Sequence, residues 1–109
     1  MNRIIHLPAI ITAVALLSAY SSAYAKDPCQ SLICMMGKVQ GGVSGNGSSK
    51  DGCGQGISDF ESIIETRHGH LDESATPIAR RNYLNSCPGA SADSEAINAI
   101  ISQFGNATL

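Results

Sequence analysis

Four cysteines constrain this chain more than any other feature, because little else in it can hold a fold together. They stand at Cys29, Cys34, Cys53 and Cys87. Beyond residue 25 only 16 of 84 side chains are Leu, Ile, Val or Phe, about 19%. At that share a chain struggles to bury enough apolar surface to stay ordered. Two disulfides would supply what the aliphatic side chains do not, each contributing roughly 2–4 kcal/mol by restricting the unfolded ensemble. The even count fits an oxidising compartment.

The first 25 residues carry the three parts of a secretory signal: Arg3, an apolar stretch over residues 4–17, and small residues leading to Ala23-Tyr24-Ala25. This pattern predicts a signal peptide over residues 1–25, cleaved after Ala25. A membrane anchor needs about 20 consecutive apolar residues, whereas His6, Pro8 and a Ser/Tyr-rich end loosen this run. Lipid attachment is disfavoured too, since Lys26-Asp27-Pro28 precedes Cys29. No stable anchor is therefore expected after cleavage. The remaining residues 26–109 read as one small domain with six basic and nine acidic side chains, a net charge of −3. The only adjacent basic pair is Arg80-Arg81, so direct contact with nucleic acid is not expected.

The cysteine spacing does not resemble the paired knuckles of a zinc site. Three disulfide connectivities exist for four cysteines, and spacing alone does not choose among them. If the segment from Cys29 to Met36 is helical, the five-residue rise from Cys29 to Cys34 is about 7.5 Å, too far for a disulfide between them. The preferred pairing is then Cys34–Cys53, closing a glycine-rich loop, with Cys29–Cys87 tying the first helix to the third.

Local patterns predict an all-α fold, a small bundle of about four short helices, and no strand. The first helix spans residues 28–37, with Asp27 as N-cap, Pro28 at its first position, and Leu32, Ile33 and Met36 on its apolar face. Residues 37–56 contain eight glycines, which predicts a mobile loop. Ser58-Asp59-Phe60-Glu61 reads as a capping box opening a second helix through Phe60, Ile63, Ile64 and Arg67 to His68-Gly69. Thr76 and Pro77 open a third that turns Ile78, Tyr83 and Leu84 inward and stops at Cys87-Pro88-Gly89. The fourth starts around Ser91 to Asp93 and carries the stripe Ile97, Ile100, Ile101 and Phe104 before Gly105.

Little in the chain points to catalysis. His68-Gly69-His70 with Asp72 and Glu73 is a set of metal-capable side chains in one connector, but no His-x-x-x-His spacing on a helix holds two imidazoles on one ion. Lys50 follows Ser49 where a phosphate-binding loop needs Gly, and Gly52, Gly54 and Gly56 lack the preceding strand and spacing of a dinucleotide fingerprint. The segment Gly42-Val43-Ser44-Gly45 misses the nucleophile-elbow pattern by one residue. Asn46-Gly47-Ser48 and Asn106-Ala107-Thr108 match glycosylation sequons without further support. No catalytic residue, metal ligand or cofactor is assigned. The candidate contact residues are Arg80 and Arg81, as a basic face, and Ile97, Ile100, Ile101 and Phe104, as an apolar one.

Several segments together resemble one family. Cys29-Gln30-Ser31-Leu32-Ile33-Cys34-Met35-Met36-Gly37, the later Cys53, Asp59-Phe60-Glu61-Ser62-Ile63, and Ala79-Arg80-Arg81-Asn82-Tyr83-Leu84-Asn85-Ser86-Cys87-Pro88 are similar to the TrbM/KikA family of conjugal transfer proteins, and to its KikA branch in particular. The long glycine-rich insert before Cys53 sets this chain apart from shorter members. The resemblance implies a periplasmic accessory of plasmid mating-pair formation and type IV secretion, whose partners are protein components of the transfer apparatus. It brings no catalytic residues. KikA-like members are also linked to killing of recipient hosts, so the alternative is a secreted toxin or small envelope-acting hydrolase.

Overall fold

A computed structural model describes residues 26–108; the expected signal peptide and its cleavage point lie outside them. Helix α1 (Pro28–Gln40) begins where Asp27 Oδ1 accepts the N–H groups of Cys29 and Gln30 at 3.0 and 3.1 Å, with Pro28 in the first turn. These bonds occupy two donors that a helix start leaves open. The helix runs past Gly37, its expected end, to a left-handed Gly41 (φ 83°). Gly37 is tolerated inside it because Val43 folds back there: a Cβ on Gly37 would lie 2.6 Å from Val43 Cγ2.

Helix α2 (Cys53–Glu61) corrects the expected second helix at both ends. It begins five residues before Ser58, where Asp51 Oδ1 accepts the Cys53 N–H at 2.8 Å and the Ser48 N–H at 3.0 Å. The Ser58-to-Glu61 segment is thus its last turn, and Ile63, Ile64 and Arg67 lie outside it. The physical reason sits at its C-terminus. Arg80 donates to the carbonyls of Glu61 (3.1 Å) and Ile63 (2.9 Å), which a continuing helix would need for N–H groups four residues on.

The glycine-rich connection is confined to residues 41–52 and is tied down. Gly54 N–H donates to Ser48 O at 2.9 Å, Lys38 Nζ donates to Asn46 Oδ1 at 3.1 Å, and Gly47 lies so near Cys53 that an added Cβ would come within 2.7 Å of Cys53 Cβ. Its composition alone predicted mobility; the anchors are the Lys38 side chain, the Gly54 backbone N–H and Asp51 within the connection itself.

A short antiparallel hairpin, β1 (Thr66–Arg67) and β2 (His70–Leu71), pairs Thr66 with Leu71 and Arg67 with His70. It corrects the expectation of no strand. Its two-residue turn has positive φ at both His68 (55°) and Gly69 (79°), the geometry whose twist suits such hairpins.

Helix α3 (Ala75–Asn85) is capped by Asp72, not Thr76: Asp72 Oδ1 accepts the N–H groups of Ser74 and Ala75 at 3.0 Å and the Ser74 hydroxyl at 2.8 Å. Thr76 is buried one turn inside, its hydroxyl donating to Glu65 O at 3.2 Å and accepting from Glu65 N–H at 3.0 Å. Leu84 faces inward as expected, but Ile78 is 61% exposed. A short 3-10 turn (Ala90–Asp93) leads into α4 (Ser94–Phe104).

The core joins Leu32 and Met35 of α1, Ile57 and Phe60 of α2, Leu84 of α3 and Ile97 and Ile100 of α4 with Cys34, Cys53, Cys87 and Ala90. Disulfides Cys29–Cys87 and Cys34–Cys53 match the preferred pairing. The second clamps α1 to α2 where Gly56 lets them approach: a Cβ there would sit 3.2 Å from both Cys34 Sγ and Gln30 O. The Ser31 hydroxyl donates to Gly56 O at 2.7 Å, so it accepts from the Tyr83 hydroxyl at 2.8 Å, linking α1, α2 and α3. The result is a helical fold with two disulfides, which belongs in an oxidising environment.

Candidate functional site

The expected contact residues do not share a surface. Arg80 is 0% exposed. Its guanidinium donates from Nε to Ile63 O, from one terminal nitrogen to Phe104 O at 2.6 Å, and from the other to Glu61 O, and it lies 5.1 Å from the centre of the Phe60 ring. A planar fork with five N–H donors suits three carbonyls held on one side. Burial pushes its pKa down, and the Glu61 charge acts in the opposite direction. Arg80 is thus a structural cation joining the ends of α2 and α4 to α3, which removes it from any basic docking face. Ile97 and Ile100 are buried in the core as well, since a stripe facing inward in so small a fold is used up by packing.

The other three residues remain partly accessible. Arg81 donates to Asn98 Oδ1 at 2.6 Å across α3 and α4. Ile101 and Phe104 are half-buried against the core, and Lys38 Nζ sits 4.9 Å from the centre of the Phe104 ring.

His68 and His70 stand exposed on the hairpin, while Asp72 is engaged as the α3 cap. Its bonds with Ser74 hold its carboxyl below the usual value of 3.8, followed by the Ala75 N–H. Among the described residues no group of three or more His, Cys, Asp or Glu side chains is placed to hold a metal ion. One acid is buried without a donor: Glu61 is 3% exposed, and its Oε1 has no hydrogen-bond partner among the described residues. The nearby Arg80 charge offsets part of the cost of burying it.

Among the described residues, α1 carries an apolar surface suited to contact. Ile33 is 67% exposed and opens a cleft of about 420 Å³ lined also by Met36, Gly37, Gln40, Gly42, Val43 and Cys53. A smaller hollow of about 90 Å³, lined by Met36, Val39, Gln40, Ala96 and Ala99, adjoins it through Met36 and Gln40. Together they form an apolar strip along α1, from the glycine-rich connection on one side to α4 on the other. Gln40 is the only polar side chain among the lining residues, so the strip is fitted for shape and apolar contact and not for charge. Ile33, Met36, Gly37 and Gln40 follow at three- and four-residue spacing. That row was visible in the sequence, but whether it faced the core or solvent was not.

Among the described residues no helix is long and apolar enough to cross a membrane. The chain matches no family model, no curated protein and no solved structure.

Proposed function

We propose that this protein is an exported, non-enzymatic accessory of plasmid conjugal transfer that works in the periplasm by contacting a protein component of the mating-pair formation and type IV secretion apparatus. The observation that carries the contact reading is the α1 strip, where a small fold with a thin core leaves Ile33 67% exposed beside a shallow cleft lined by apolar side chains. Ile33 borders a continuous apolar lining, whereas Ile78, 61% exposed, lines neither hollow; contiguous exposed apolar surface marks contact sites, and single exposed side chains do not. The two disulfides and the signal-like first 25 residues support export, and the four cysteine-bearing and neighbouring segments support the transfer apparatus as the setting. The occupant of the strip is a protein segment offering uncharged, apolar side chains, because the lining presents no charge to pair.

A donor strain carrying Ile33→Asp tests this. Ile33 contributes little to the core, so the variant should accumulate normally, stay oxidised and reduce plasmid transfer. A photocrosslinker at position 33 should capture a transfer-apparatus protein. Undiminished transfer with Ile33→Asp, and no crosslink from position 33, would overturn the reading.

A further inference from the structure

We infer that Asn46 is a site of spontaneous covalent modification, converting through a cyclic imide with Gly47 to aspartate and isoaspartate, and that the Lys38 ammonium promotes the conversion. Asn46 is exposed, and of the asparagines at 46, 82, 85, 98 and 106 it alone precedes a glycine. Gly47 presents its backbone nitrogen without a Cβ to hinder approach to the Asn46 side chain. Lys38 Nζ donates to Asn46 Oδ1 at 3.1 Å, which polarises the carbonyl and stabilises the negative charge that grows on its oxygen during attack. The same ammonium lies over the Phe104 ring at 4.9 Å, so it is held in place from a second side.

The chemistry balances with water alone. The Gly47 nitrogen loses its proton to solvent base and bonds to Asn46 Cγ; the Cγ–Nδ2 bond breaks, and Nδ2 leaves as ammonia after taking a proton from water. Water then adds to one or the other ring carbonyl and opens the imide to isoaspartate or aspartate. The structure also contains a brake: Gly47 N–H donates to Ser44 O at 3.0 Å, so attack requires this turn to open. Exposed turns open at low cost. Once formed, the product places a carboxylate opposite Lys38, and isoaspartate lengthens the backbone just before Gly47, which has no room to move toward Cys53.

Incubating the purified, oxidised protein at mildly alkaline pH and mapping its peptides by mass provides the test. Position 46 should convert while Asn82, Asn85, Asn98 and Asn106 stay intact. Lys38→Met should slow the conversion severalfold in the folded protein and leave the rate in the reduced, unfolded chain unchanged, whereas Lys38→Arg should retain it. Conversion at another asparagine ahead of position 46 would overturn the site. Equal or faster conversion in folded Lys38→Met would overturn the role of Lys38.

Discussion

The two ends of α1 and α2 meet different partners, and the contrast explains how a chain poor in aliphatic residues keeps one fold. At the start of α2 the link is covalent: Cys34–Cys53 joins it to α1, which Cys29–Cys87 ties in turn to the segment after α3. At the far end of α2 there is no covalent link, and a single buried guanidinium gathers the carbonyls of Glu61, Ile63 and Phe104. A disulfide acts mainly by limiting the unfolded chain. The Arg80 cluster acts only in the folded state, where three carbonyls and a cation that left water must satisfy one another. The first end therefore depends on redox conditions, and the second on the shape of one side chain.

Reduction should produce the largest effect. Removing both disulfides should unfold the protein at ordinary temperature, because the remaining core is small. Removed singly by paired Cys→Ser changes, Cys29–Cys87, with a sequence separation of 58, should cost about 4 kcal/mol, and Cys34–Cys53, with a separation of 19, about 3 kcal/mol, on the loop-entropy relation. Denaturant melts of the two variants measure the order; equal costs would show that native packing outweighs loop length.

Arg80→Met should come next, destabilising by about 3–5 kcal/mol, since it strands the carbonyls of Glu61 and Ile63, leaves that of Phe104 with only the Ala107 N–H at 3.3 Å, and removes the charge opposing the buried Glu61. Arg80→Lys should recover only part of this, as one ammonium cannot reproduce the fork. Full stability with lysine would mean that charge alone holds this end. Thr76→Val, which removes the hydroxyl that accepts the Glu65 N–H and shares the Glu65 carbonyl with the Asp72 N–H, should cost about 1–3 kcal/mol and loosen the hairpin, read as faster amide exchange at residues 65–71.

The smallest effect concerns acid. Asp51 is held below the usual 3.8, chiefly by the Cys53 N–H and then by that of Ser48, and Asp72 likewise by Ser74. A carboxyl with a lowered folded value contributes stability above its unfolded value and loses it as pH falls through the folded one. Both contributions should therefore be complete above about pH 4 and fade below it. Asp51→Asn and Asp72→Asn should each flatten the acid limb of a stability-versus-pH curve, and by little, because both carboxylates face solvent.

Some of this was legible along the chain. The Asp27-Pro28 start of α1 and the Ile97-to-Phe104 stripe of α4 are local signals, carried by residues within a turn or two of one another, and they folded as their spacing indicates. The helical rise that separates Cys29 from Cys34 is local too. The second helix misled for a complementary reason: Ser58 and Glu61 have the spacing of a helix start, but the start actually used depends on Asp51 and on the staple to Cys34, and the stop depends on Arg80, 19 residues beyond Glu61. The hairpin was missed because strands of two residues are too short to show any alternation.

By itself the sequence determined the helical character, the need for two disulfides, and the residues from which a small core had to be drawn, because periodicity, capping and composition act over short spans. Only the tertiary structure decided that Arg80 is interior and Ile33 exterior. Both belong to patterns that read equally well either way along the chain. Which side of a helix is buried depends on what the other helices leave open, and here α2 and α4 cover α1 on two sides and leave the row from Ile33 to Gln40 uncovered. An arginine, in turn, becomes a core residue only where distant chain ends present unpaired carbonyls at the reach of its fork.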